Sequence, residues 1–97
     1  MFRHVVLFKW SDQAAPADRD AAVAALRQWA LDATELGRVT VGQDAGIREG
    51  NYDVAVVAEF TDRAGYERYA VDERHLAMIS AHITPNAASR AAVQHEL

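Results

Sequence analysis

Asn51-Tyr-Asp-Val-Ala-Val-Val-Ala-Glu-Phe60 is the stretch whose reading decides the fold. Val54 to Ala58 is an unbroken apolar run with valine at three positions, bounded by Gly50-Asn51 before it and Thr61-Asp62 after it. A short, β-branched run fenced by turn residues reads as a buried strand rather than a helix. Side chains alternate across a sheet, so Val54, Val56, Ala58 and Phe60 share one wholly apolar face. Asp53, Ala55, Val57 and Glu59 share the other, apolar in its middle with a carboxylate at each end. A strand apolar on both faces needs two covers. A chain of 97 residues supplies helices for one of them; a second copy of the chain is expected to supply the other.

Working outward, Phe2 to Trp10 alternates as a strand, with His4, Val6, Phe8 and Trp10 on one face and Arg3, Val5, Leu7 and Lys9 on the other. Pro16 suits the first turn of a helix, and Asp18 and Asp20 lie near its positive end. Ala22, Val23, Leu26, Trp29, Ala30 and Ala33 follow at helical spacing, with Gly37 as the expected stop. Arg38 to Asp44 reads as a weaker strand in which Gly42 suggests a bulge or a close backbone approach. Ala45 to Asn51 is a hairpin loop into the central strand. Thr61 or Asp62 caps a short helix carrying Tyr66 and Tyr69 on one face, and Asp72 caps a second one running to about His82. Pro85-Asn86 closes it, and Ser89 to Leu97 is a final strand exposed on one side. The order βαββαβ, with right-handed crossovers, predicts an α+β, ferredoxin-like domain over residues 1–97. Its four-stranded antiparallel sheet carries the helices on one face. A homodimer through the helix-free sheet face is therefore expected, with Val5, Leu7, Ala55 and Val57 as its contacts.

Composition excludes several functions. A formal charge of −4, with ten basic residues scattered singly, provides no basic stripe for a phosphate backbone, so no nucleic acid is expected as partner. The absence of cysteine excludes disulfide and thiolate chemistry. The longest N-terminal apolar run, Val5 to Phe8, is too short for a signal segment or a membrane span. The expectation is a soluble, cytoplasmic, unprocessed protein with no membrane partner.

Taken in order, Arg3-His-Val-Val-Leu-Phe-Lys-Trp10, Gly42, Asn51 to Phe60 and Tyr66-Glu-Arg-Tyr-Ala-Val-Asp-Glu-Arg-His75 resemble the stress-responsive A/B barrel domains of the dimeric α+β barrel superfamily. The likeness covers nearly the whole chain. The family often has His-Pro-x-His before its last helix; here Asp72 and Glu73 replace the first two residues and only His75 is kept. Its last-strand Asp-Tyr pair is replaced by Gln94-His95. Most members have no assigned reaction. A plant polyketide cyclase of the family closes a linear thioester by an intramolecular aldol reaction without metal or cofactor. Its essential Tyr–His pair falls on Tyr69 and His75, and a first-strand histidine falls on His4. A further pocket histidine falls on Val54.

Tyr69 and His75 are thus the catalytic candidates. A neutral imidazole can take a carbon-bound proton from between two carbonyls, and a tyrosine hydroxyl can orient it or polarise the carbonyl. The plainer account is that His75 caps or packs the first turn of its helix. On a continuous helix the two residues would lie about 120° apart around the axis, so they meet only if the chain breaks near Asp72. His4, Val6, Phe8, Val54 and Val56 share a sheet face that can floor a pocket for a small hydrophobic ligand, with Tyr66 at its wall. Each of these is equally an ordinary core position, and a lone histidine on an apolar face is usually a hydrogen-bonded core residue. His82 follows His75 by seven residues without the spacing or carboxylates of a chelate, so neither metal nor cofactor is expected. Three functions stay open: a cofactor-free acid–base enzyme of cyclase, lyase or isomerase type, a non-catalytic stress-related ligand-binding dimer, or, by superfamily analogy, a cofactor-independent monooxygenase.

Overall fold

A computed structural model describes residues 1–97. Strand β1, Phe2–Trp10, alternates buried and half-buried residues along its whole length, as its hydropathy pattern requires. It lies inside a four-stranded antiparallel sheet of order β2-β3-β1-β4, with β2 at Arg38–Gln43, β3 at Val54–Phe60 and β4 at Ala87–Glu96. The organising stretch is therefore an inner strand, paired with β1 from Phe2 opposite Phe60 to Phe8 opposite Val54.

Helix α1, Pro16–Asp32, begins on proline without a side-chain cap and buries Ala22, Val23, Leu26 and Trp29. Burial of a side chain such as Leu26, 2% exposed, contributes about 1.5–3 kcal/mol. The helix ends at Asp32, with Ala33 as its cap, and a turn carries the chain to Gly37. Gly37 is thus not the stop that its position suggested. Its need for glycine is steric: a Cβ there would stand 2.6 Å from the Phe60 ring and 2.7 Å from the Glu59 carbonyl oxygen. Gly42 shows the converse. No register shift interrupts the β2–β3 pairing, and a Cβ at Gly42 would meet nothing within 4 Å, so neither a bulge nor a close approach is found there. The loop into β3 turns on Gly46 and Gly50, whose φ of 74° and 82° lie in the left-handed region that glycine adopts readily.

Asp62 caps α2, Arg63–Val71, by accepting from the Gly65 N–H. Asp72 then caps α3, Glu73–Met78, and the last helix continues as one π-helical turn, Ile79–Ile83. All helices cover the face of Val6, Phe8, Val54, Val56 and Phe60, which with Leu26, Trp29 and Tyr69 form the core. On the opposite face Val5, Leu7, Ala55 and Val57 are only half-buried, and Val93 of β4 is 60% exposed. The carboxylates at the ends of that face both have partners within the chain. Asp53 accepts from the Trp10 N–H at 2.8 Å, and Glu59 pairs with Arg3 at 3.1 Å. No helix is long and apolar enough to cross a membrane.

Candidate functional site

The break between α2 and α3 is what brings Tyr69 and His75 together. The Asp72 carboxylate accepts from the backbone N–H groups of Arg74 and His75, ending one helix and starting the next. Hydrogen bonding to the Arg74 side chain holds that carboxyl below its ordinary range, so it remains a capping anion. Across the break the two rings approach to 4.5 Å between centroids at 41°. Trp29 of α1 completes a triangle, 5.6 Å from Tyr69 and 5.5 Å from His75. Its indole N–H donates to the Tyr69 hydroxyl at 3.1 Å. The hydroxyl's acceptor capacity is therefore engaged while its own proton stays free to donate. Burial pushes the Tyr69 phenol up, only partly offset by that bond, which keeps it a phenol.

His75 is half-buried, and its Nδ1 is buried without a hydrogen-bond partner. Desolvation lowers its pKa; the Ala70 backbone and the Asp72 charge oppose this, and Arg90 reinforces it. Nδ1 makes no well-formed hydrogen bond, so the Ala70 backbone opposes the desolvation only in part. With the ring proton on the Nδ1 side, toward the Ala70 backbone, Nε2 is the nitrogen left to act as a base.

His4, 5% exposed, lies on β1 with its ring 5.0 Å from Tyr66 and 6.1 Å from Tyr69. Gln94 of β4 stands opposite it in register and donates from Nε2 to His4 Nδ1 at 2.9 Å. That bond leaves the imidazole proton on Nε2. Desolvation first, then the charges of Arg90 and His75, bring the His4 pKa down to about 4. Two neutral histidines and a neutral phenol thus converge on one place.

That place is a chamber of about 40 Å³. Of the residues singled out by sequence, His4, Val6, Phe8, Val56, Tyr69 and His75 line it; Leu26, Met78, Ile79 and Arg90 complete the wall. Two others do not line it. Val54, first residue of β3, borders a different hollow with Leu7, Gly42 and Ala55 at the loop end of the sheet. Tyr66 packs behind His4, between it and the rings of Phe2 and Phe60. Sequence reasoning missed Gln94 and Arg90 as neighbours of the site. Their signal was present in the alternation of β4, which puts Arg90, Ala92 and Gln94 on one face, and needed only the β1–β4 register to be read.

Among solved structures, a dimeric ferredoxin-like protein of unknown function from Thermobifida fusca YX is 36% identical, with TM-score 0.87 over 99% of this chain and 90% of that one. A hydroxynitrile lyase from Passiflora edulis superposes with TM-score 0.77 at 16% identity, over 99% and 92% of the two chains. An antibiotic biosynthesis monooxygenase does so with TM-score 0.78 at 11% identity, over 100% and 98%. The last two show a shared fold only. No curated protein matches the chain. The family model of the stress responsive A/B barrel domain matches residues 2–96, and the chain belongs to that family.

Proposed function

We propose that this protein is a homodimeric, cofactor-independent acid–base enzyme acting on a small hydrophobic carbonyl compound, with His75 as general base. One observation carries the reading: a half-buried neutral imidazole lies against a phenol whose proton is free, at the wall of a chamber. In the reaction His75 removes a proton from carbon between two carbonyls, and the bonding electrons pass into an enolate. Tyr69 donates a hydrogen bond to the oxygen that gains charge. The enolate carbon attacks a second carbonyl in a cyclase, and the imidazolium returns its proton to the new alkoxide. Each step moves only protons and electron pairs between groups present.

The homodimer forms through the helix-free sheet face, where Val5, Leu7, Ala55 and Val57 lie with Val93. The Thermobifida fusca relative, described as dimeric, supports this assembly. A stable interface of this kind buries on the order of 1,600 Å² in total. The protein acts as a soluble cytoplasmic enzyme of the family.

A second reading, a non-catalytic dimer that holds its ligand outside this chamber, is favoured by the chamber's size. About 40 Å³ holds water rather than a polyketide. The two readings part on His75→Ala, measured for turnover, ligand binding and melting temperature together. A general base is worth about 10²–10⁴ in rate, so turnover of a linear polyketone substrate, with a further carbonyl for the enolate to attack, should fall by that factor with the melting temperature nearly unchanged. Tyr69→Phe should cost less. A large fall in melting temperature with unchanged ligand affinity would make His75 a packing residue and remove the enzyme reading.

A further inference from the structure

One cation at the site has no work in the chemistry above. Arg90 stands opposite Phe8 in the β1–β4 register, on the same face of β4 as Gln94. The ion pairs of the chain engage Arg3, Arg63 and Arg74, and none engages Arg90. Charge on an edge strand commonly guards it against pairing with another chain. That role is met by a charge at any exposed position of β4 and does not account for this one, which borders the chamber of the two imidazoles. Arg90 also borders a second, more open hollow of about 270 Å³, whose wall includes Ile83, Thr84 and Ala87. Phe8, Ile79 and Arg90 are common to both walls. The chamber alone is too small for an organic molecule, whereas the outer hollow by itself approaches the roughly 300 Å³ at which small-molecule sites begin.

We propose that the site takes a small apolar carbonyl compound bearing a carboxylate. The carboxylate pairs with the Arg90 guanidinium at the mouth, the apolar body lies in the outer hollow, and the carbonyl end enters the chamber beside His75. This deepens the acid–base reading and rests on it. A single planar guanidinium among apolar walls matches a carboxylate in charge and in bidentate geometry. A phosphoryl dianion would call for a second cation, and neither wall contains one. Arg90 is also one cause of the depressed basicity of His75. A carboxylate that neutralises it strengthens the base only when ligand is present.

The test is a titration followed through the ring signals of His4 and His75 by NMR. The probes are benzoate, phenylacetate, phenylpyruvate and hexanoate, each with its methyl ester, and phenyl phosphate. At least one acid should shift both rings and bind more tightly than its own ester by about 10- to 100-fold, the range for a charge-assisted hydrogen-bonded pair. Arg90→Gln should abolish that preference and leave ester affinity intact, while Arg90→Lys should retain part of it. The pKa of His75 should rise on saturation with acid in the parent protein, and should already stand higher in ligand-free Arg90→Gln. Equal affinity for acid and ester, or a preference that survives in Arg90→Gln, overturns the anchor and leaves the chamber reading standing. Tighter binding of phenyl phosphate than of any acid overturns the choice of carboxylate. If neither acids nor esters move either ring, the chamber reading and the anchor fall together.

Discussion

Acid should destabilise this protein through His4, and the size of the effect follows from its surroundings. The ring is buried, accepts a hydrogen bond from Gln94 at Nδ1, and faces Arg90, His75, Tyr66 and Tyr69. Above pH 6.5 the imidazole is neutral in the folded and the unfolded chain, and no penalty arises. Between 6.5 and about 4 the unfolded chain takes up a proton that the folded chain refuses. Stability therefore falls as the pH falls through that window and levels off below it. At about 1.4 kcal/mol per pH unit the upper bound is about 3 kcal/mol. Water reaching the ring through the chamber screens part of this, so about 1–2 kcal/mol is the expected yield. His75 shifts in the same direction and adds to it. The assay is urea unfolding at fixed protein concentration, from about pH 7 to about pH 4.5, for the parent and for His4→Gln. The variant should start lower and lose less, because it has no group to titrate at that position. Parallel profiles for the two proteins would refute the reasoning, since they would mean that His4 binds its proton equally in both states.

Trp29→Phe should cost about 1–3 kcal/mol in a denaturant melt, because it strips the donor from the buried Tyr69 hydroxyl. In combination with Tyr69→Phe the two costs should sum to less than additivity. Gly37→Ala should destabilise by about 1–3 kcal/mol or more, as the new methyl meets the Phe60 ring and the Glu59 carbonyl; an unchanged melting temperature would show that β3 yields easily. Val57→Lys, in the middle of the helix-free face, should yield a folded monomer at micromolar concentration by sedimentation, with its far-ultraviolet circular dichroism retained. A dimer that survives this change does not use that face.

The parts of the fold that were legible in sequence are those set by periodicity. The bounds of β1, the inner position of β3 and the cap at Asp72 follow from alternation and from a carboxylate placed before a helix. The end of α1 was not legible, because Ala33 to Gly37 carries no strong breaker before the glycine, and the glycine is there for the Phe60 ring instead. Gly42 misled in the opposite way: a glycine in a strand suggests contact, and this one faces open space in the single chain. At the site, His4, Tyr69 and His75 could be named from residue type and resemblance. Their hydrogen-bond partners could not. Trp29 lies 40 residues from Tyr69 in sequence and Gln94 lies 90 from His4, so only tertiary packing and strand register bring them together. The same holds for Arg90, an unremarkable charge on an exposed strand until Phe8 is known to stand opposite it.

That register also ties the proposed dimer face to the candidate site. Opposite Val5 and Leu7 on the helix-free face stand Val93 and Ala91; opposite His4 and Phe8 on the helix face stand Gln94 and Arg90. Because side chains alternate with a period of two, a slip of one residue in β4 would exchange the two sets. Arg90 would then enter the proposed dimer face as an unpaired charge, and Gln94 would leave the His4 ring without its donor. Both consequences oppose the slip, one through burial of a charge without a partner and the other through loss of a hydrogen bond to a buried ring. The structure places its register shift between Lys9 and Trp10, beyond the last of these pairs. Pairing from Phe2 to Lys9 is thereby left regular over the whole span of these pairs. The strand that is most exposed in the single chain is thus the one whose register matters to both.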